Sequence, residues 1–329
     1  MTTSLFNWAD AKRLTGGTPV PGTAAHSVRD ITLVTDDSRC VAPGALFVAI
    51  RGELTDGHRF LTQALAAGAG AVCVSTPPSP DVLAQCVELK VPCLQVADTL
   101  AAFHALAREH RDRQEDLLVV AVTGSCGKTS SKEMIAAVLE EAWPDQVLKT
   151  EGNTNNHFGV PRNLLRLTSR HCAAILELGS NHPGEIASLT ALVSPDIGVV
   201  CNIGRAHLEF FVDTAGVARE KSEILAGTHV HGTAVYPHEA EHVETLSNKA
   251  GSRRSFTFGS SSEATVRVDY LGRRNGQFAV RLISGATSED VEFTWNLGGA
   301  HQAMNAAGAA AVGKALGLPL DLIAEGLRK

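Results

Sequence analysis

"VAVTGSCGKTSSKEMIAAVL", Val120–Leu139, joins an apolar, strand-like run to a glycine-punctuated loop and then to helical spacing. Consecutive backbone N–H groups at such a turn make an anion cradle. The start of the following helix adds the positive end of its dipole. The pattern assigns phosphate binding to Gly124, Ser125, Cys126, Gly127, Lys128, Thr129 and Ser130. Lys128 is placed to reach terminal phosphates and the Thr129 hydroxyl to ligate Mg2+. The loop is tighter than the usual G-x-x-x-x-G-K-[ST], with Gly124 four residues before Lys128.

Around this loop, "LLVVAVT", "AAILELG", "IGVVCNI" and "GTAVYP" alternate with helical stretches. Such alternation predicts an α/β unit, a mostly parallel sheet flanked by helices on both faces. "RVDYLGRRNGQFAVRLI" (Arg267–Ile283) interrupts it with a hairpin-like Asn-Gly turn. Upstream, "ITLVTDDSR", "GALFVAIRG", "RFLTQALAAGA", "AVCVST" and "CLQVA" read as a smaller α/β unit. The boundary is expected near residue 97, giving domains 1–97 and 98–329. The capped helix "DTLAAFHALAREHRDR" (Asp98–Arg113) then opens the second.

Composition narrows the partners. The chain has 329 residues, 19% of them charged, and a net charge of -6, which argues against a nucleic-acid partner because duplex binding draws on a basic surface. No apolar run has the length of a membrane span, and "MTTSLFNWADAKRL" has no signal-peptide core, so a cytoplasmic protein without membrane insertion is expected. Seven scattered cysteines without C-x-x-C spacing read as reduced thiols, with neither a disulfide framework nor a zinc site.

"TGSCGKTS" resembles the ATP loop of the Mur ligases, which build the peptide stem of peptidoglycan precursors. "DDSRCVAPGALFVAIRGELTDGHRFLTQALAAGAGAVCVS" (Asp36–Ser75) is similar to the family's N-terminal UDP-sugar domain. "EGNTNNHFGVPRNLL" (Glu151–Leu165) and "ILELGSNHPGEI" (Ile175–Ile186) look like the member that adds D-alanyl-D-alanine to UDP-N-acetylmuramoyl-tripeptide. The resemblance implies an ATP-dependent amide ligase working through an acyl phosphate, with those two substrates as partners, as a monomer. Three alternatives remain: the preceding ligase, which adds the third amino acid and usually carries Ser-Ser-His after the glutamate, a P-loop kinase or phosphatase acting on a small molecule, and a noncatalytic nucleotide-sugar binding module.

The resemblance also carries residue roles. Glu177, at the C-terminal end of a predicted strand, is where ligands of open sheets gather, and its oxygens suit Mg2+. His207, at the equivalent edge of another strand, is implied as ligand to a second Mg2+. A helical lysine is ordinarily a solvated charge, but Lys221 matches the family's lysine that CO2 carbamylates to an anion holding that ion. Metal ligands are thus Thr129, Glu177, His207 and Lys221, and the catalytic residues Lys128, Lys221 and His207.

"GGAHQAMNAAGAA" (Gly298–Ala310) resembles the adenine-binding segment through His301 and Asn305, with Gln302 where Asn is usual. Asn153, Asn155, Asn156 and Asn181 are implied beside the tripeptide. Ser38 and Arg39 are implied at the uridine or diphosphate, with Asp56, Gly57 and His58 nearby. "LPLDLIAEGLRK" (Leu318–Lys329) resembles the end of the family's central domain. A C-terminal Rossmann-like domain is therefore expected to be absent, and this chain alone to bind its UDP-linked substrate without completing ligation.

Overall fold

Short β-branched runs alternate with capped helices along the computed structural model, which describes residues 4–23, 30–52, 54–287 and 289–329. The chain divides into two compact units, Met1–Arg113 with Leu164–Arg166, and Gln114–Asn163 with Leu167–Lys329.

In the first unit the strands are β1 (Thr18–Pro19), β2 (Leu33–Thr35), β3 (Ala45–Val48), β4 (Ala71–Val74) and β5 (Cys93–Gln95). They form a sheet in the order β1-β5-β4-β3-β2, parallel except for β1. Its helices are α1 (Trp8–Thr15), α2 (Leu61–Ala66), α3 (Pro80–Glu88) and α4 (Thr99–Asp112). Asp98 caps α4, accepting from the N–H groups of Leu100 and Ala101. This helix lies in the first unit, where Arg113 at its end donates to the Leu5 carbonyl and pairs with Asp10. The sequence reading had assigned it to the second. Its cap marks where a helix begins but carries no information about which sheet that helix packs on.

The second unit contains β6 (Leu118–Thr123), β7 (Val147–Lys149), β8 (Ala173–Glu177), β9 (Ile197–Val200), β10 (Thr233–Pro237), β11 (Arg254–Gly259), β12 (Val266–Arg274), β13 (Gln277–Ser284) and β14 (Asp290–Trp295). The sheet order is β14-β13-β12-β11-β10-β9-β6-β8-β7. Pairing is parallel from β7 to β12 and antiparallel across β12, β13 and β14. The Asn-Gly turn forms as read: Asn275 and Gly276 both take positive φ, and Arg274 pairs with Gln277.

Helices α5 (Lys128–Ala142), α6 (Gly159–Leu164), α7 (Glu185–Val193), α8 (Leu208–Phe211), α9 (Thr214–Gly227), α10 (Val243–Ala250), α11 (Ala300–Ala315) and α12 (Leu320–Arg328) complete it. Val120, Val122, Ile175 and Val235 share a core with residues of α5, α11 and α12. Alternate residues such as Ala121 are equally buried, on the sheet face that α7 and α9 cover. Burial on both faces is why these strands read as unbroken apolar runs.

In the first unit a hydrogen-bonded chain ties the turn after β3 to the end of β4. Asp56 Oδ1 accepts from the His58 N–H at 3.0 Å and from Nδ1 at 2.6 Å, while Oδ2 accepts from Arg51 at 3.1 Å. Ser75 N–H donates to His58 Nε2 at 3.0 Å, so the shared ring proton sits on Nδ1. The His58 backbone N–H is the main reason that the Asp56 carboxyl falls from 3.8 to about 2. Asp56 therefore stabilises the native state above pH 3.8, and that contribution is lost as pH falls to about 2. Asp56→Asn is expected to flatten this part of the acid-unfolding curve, followed by circular dichroism from about pH 5 to 2. An unchanged acid limb would count against this account.

Candidate functional site

The end of β6 delivers the chain to Gly124, and α5 begins at Lys128 behind Gly127, whose φ is 77°. No side chain caps α5, so its first-turn N–H groups point out of the helix without a side-chain acceptor. That is the electrostatic requirement of an anion site. The φ of Gly127 strains any other residue, and a Cβ there would press on Asn305 Oδ1 at 2.7 Å. Lys128 Nζ arches back over the loop and donates to the Gly124 carbonyl at 2.9 Å. Ser130 follows in the first turn of α5.

The segment after β9 fixes the loop from the side. Ser125 Oγ donates to the Gly204 carbonyl at 3.0 Å and accepts from its N–H at 2.9 Å. Asn202 Oδ1 accepts from the Cys126 N–H at 3.0 Å, and Nδ2 donates to Cys126 Sγ at 2.7 Å. Neither Asn202 nor Gly204 was singled out from sequence. Both follow a strand end in "VVCNIG", and that position was the available clue.

Glu177 closes β8 and is 1% exposed. Thr129 Oγ1 donates to Oε2 at 3.0 Å, and Asn155 Nδ2 donates to Oε1 at 2.8 Å. Asn155 also donates to Asn153 Oδ1 at 2.8 Å, so four of the expected residues form one connected group. Asn156 has a local role: its Oδ1 accepts from the N–H groups of Phe158 and Gly159, turning the chain into α6.

Lys221 sits inside α9, 1% exposed, with Nζ donating to Ser180 Oγ at 2.8 Å. Burial, aided by the nearby Lys128 charge, brings its ammonium down from 10.5 to about 8. Ser180 was not anticipated from sequence. His207 is exposed, at φ 51°, just before α8, and meets Phe211 edge-on at 6.4 Å. Lys221 Nζ lies 5.9 Å from the same ring. His207 and Lys221 thus both adjoin the Phe211 ring, and no hydrogen bond joins them among the described residues. Among the described residues there is no ready group of three His, Cys, Asp or Glu side chains for a metal.

Asn305 lies inside α11, with Oδ1 accepting from Ser131 at 3.3 Å and Nδ2 donating to Gln302 Oε1 at 3.1 Å. His301 is exposed in the first turn of α11. Asn181 is exposed, its N–H held by Glu185 at 2.7 Å. In the first unit, Ser38 donates to Gln63 at 3.2 Å. Arg39 is exposed, and its fork grips Asp37 at 2.9 and 2.6 Å.

Residues 122–313 match the family described as the Mur ligase middle domain, and residues 30–111 match the Mur ligase family catalytic domain. The chain belongs to the Mur ligase family. A curated relative from Escherichia coli (strain K12), UDP-N-acetylmuramoyl-tripeptide--D-alanyl-D-alanine ligase, is 40% identical over 303 residues, 91% of this chain and 64% of that protein. The chain therefore spans just under two thirds of that relative's length. The solved UDP-N-acetylmuramoylalanyl-D-glutamyl-2,6-diaminopimelate--D-alanyl-D-alanyl ligase from Acinetobacter baumannii matches with TM-score 0.84 and 30% identity, over 100% of this chain and 70% of that one. MurF ligase from Thermotoga maritima, solved in complex with ADP, matches with TM-score 0.76 and 26% identity, over 88% of this chain and 65% of that one.

The oxygen donors of Thr129 and Glu177 fit a hard divalent cation. They adjoin the phosphate loop, and the buried carboxylate is hydrogen-bonded by neutral groups alone among the described residues. Cys126 is exposed within the loop, as Cys40 and Cys172 are elsewhere. Limited iodoacetamide labelling, read by mass spectrometry, is expected to show Mg-ATP protecting Cys126 but not Cys40 or Cys172. Equal labelling of Cys126 with and without nucleotide would place the nucleotide elsewhere.

Proposed function

We propose that this protein uses ATP to join D-alanyl-D-alanine to UDP-N-acetylmuramoyl-tripeptide, as a monomer in the cytoplasm. The observation that carries the reading is the uncapped start of α5, with Lys128 above it and the Thr129–Glu177 pair beside it. It occurs in a chain 40% identical to a ligase of that name. The first unit takes the UDP moiety through Ser38 and Arg39, whose guanidinium exchanges Asp37 for a diphosphate oxygen.

The tripeptide's terminal carboxylate oxygen attacks the γ-phosphorus of ATP and ADP leaves, giving an acyl phosphate. The dipeptide amine attacks the acyl carbon and loses a proton, and inorganic phosphate leaves. The loop N–H groups and Lys128 hold the transferring phosphoryl group and offset the charge that develops on it. Mg2+ bound by Thr129 and Glu177, and a second ion by His207 and Lys221, would neutralise phosphate charge. Lys221 reacts with CO2 through its neutral amine, releasing a proton and becoming a carbamate anion. Its burial and its neutral partner Ser180 favour that amine. Asn305 and His301 hold adenine, and Asn153, Asn155, Asn156 and Asn181 position the tripeptide.

Lys128→Ala is expected to weaken ATP binding about a hundredfold while UDP-N-acetylmuramoyl-tripeptide still binds, both measured by calorimetry. Equal loss of both ligands would contradict the division of labour. Sustained ATP turnover indifferent to D-alanyl-D-alanine would favour a kinase or phosphatase instead. Incubation with 13C-bicarbonate is expected to give a carbamate resonance that Lys221→Ala abolishes. Survival of that resonance in the variant would remove the assignment.

A further inference from the structure

A pocket of about 590 Å3 opens between α10 and the strands β10 and β11. None of its lining residues belongs to the phosphate loop, to β8 or to α9. Tyr236 on β10 stands in register beside Thr257 on β11. Their neighbours Val235 and Phe258 go to the core shared with α11. Strand alternation therefore turns Tyr236 and Thr257 to the opposite face, where α10 lies. On α10, Val243 and Ser247 are four residues apart, as are Glu244 and Asn248, and all four line the pocket.

Tyr236 is 5% exposed, yet its hydroxyl makes no hydrogen bond among the described residues. A phenol buried this far ordinarily has a partner. The neighbouring Thr257 hydroxyl is taken up by Thr265, whose N–H it accepts at 3.2 Å. The pocket is the side from which a partner can reach Tyr236. Ser247 and Asn248, both exposed, bring a second hydroxyl and an amide that are also without partners among the described residues.

The charges decide what kind of molecule fits. Glu263 pairs with His238 Nε2 at 3.5 Å, whereas Glu244 has no ion pair among the described residues. No lysine or arginine is among the described residues lining the pocket, and Lys249, the next residue along α10, is held by Glu223 at 2.6 Å. Two carboxylates without a basic side chain repel phosphates and carboxylates. The first turn of α10 suits an acidic residue through the helix dipole, which would account for Glu244 but not for the unpartnered buried phenol. Among the described residues no three His, Cys, Asp or Glu side chains are grouped to hold a metal, so a bare ion does not fit either.

We infer that this pocket binds a hydroxylated organic amine, with its ammonium against Glu244 and a hydroxyl bonded to Tyr236. Ser247 and Asn248 take further hydroxyls. Amino sugars and amino alcohols have this chemistry. The site is separate from the nucleotide site, and the inference does not depend on the ligase reading.

Titration of the 15N-labelled protein, followed by NMR, tests this with three probes: D-glucosamine, N-acetyl-D-glucosamine, which lacks the charge, and spermidine, which lacks the hydroxyls. D-glucosamine is expected to shift resonances of α10 and β10 saturably, with about tenfold higher affinity than either of the others. Glu244→Gln is expected to weaken D-glucosamine about tenfold and Tyr236→Phe about fivefold. Tyr236→Phe removes a hydroxyl that bonds nothing in the protein, so its melting temperature is expected to equal or exceed that of the parent, which separates a ligand contact from a folding defect. Absence of a saturable shift with D-glucosamine, equal affinity for the three probes, or full affinity in both variants would overturn the inference. Displacement of D-glucosamine by Mg-ATP would show one shared site and overturn it as well.

Discussion

A carboxylate removed from water and given no cation is the constraint around which the second unit is arranged. Glu177 ends β8 with 1% of its surface exposed, and three elements converge on it. Its Oε2 takes the Thr129 hydroxyl from the first turn of α5, and its Oε1 takes the Asn155 amide. Its N–H donates to Thr150 Oγ1 at 3.0 Å. Thr150 in turn accepts Lys132 Nζ at its carbonyl, at 2.8 Å. An unpaired buried charge is costly, so each of these groups is held where it limits that cost. The phosphate loop inherits its position from the same contacts.

The buried ionisable groups of this unit fall into two kinds. Lys132 has Glu133 at 2.7 Å, and Glu220 has two backbone N–H donors. Their charges are answered within the protein, which marks them as structural. Glu177 and Lys221 are also buried, yet their hydrogen-bond partners are the neutral Thr129, Asn155 and Ser180. A folded protein tolerates such groups where a ligand or a modification completes the compensation. Burial alone separates none of these four side chains; what does is the Glu133 carboxylate beside Lys132 and the positive end of the α7 dipole beneath Glu220.

That distinction also explains what sequence could convey. The strand–loop–helix form around Gly124–Lys128 was legible because spacing, glycine and helix start lie within ten residues or so, and local geometry enforces them. The Asn275–Gly276 turn was legible for the same reason. Glu177 was read at a strand end and does close β8, whereas the metal roles of Glu177 and His207 came from the family resemblance alone. Asn202, Gly204 and Ser180 were missed because their roles are long-range. Ser125 and Gly204 meet across 79 residues, and Lys221 and Ser180 across 41. The placement of α4 escaped for a related reason: helix caps are local, whereas the choice of sheet is tertiary. β14 completes a three-stranded antiparallel extension whose first hairpin was readable and whose third strand was not.

Helix α9 shows how one element can direct side chains to several neighbours at once. Asp213 caps it, accepting from Gly216 N–H at 2.7 Å, and a side chain at Gly216 would collide with the Phe211 carbonyl. The close approach of α8 to α9 therefore depends on that glycine. At roughly 100° per residue, consecutive positions on α9 look in different directions. Lys221 is directed inward to Ser180, and Glu220 sideways to the start of α7. Arg219 and Glu223 line a cleft between α7, α8 and α9. Because Glu220 ties α9 to α7 through two hydrogen bonds, a rotation of α9 would move the buried lysine and the cleft charges at once. The position of Lys221 and the shape of the cleft are consequently coupled through Glu220 rather than set independently.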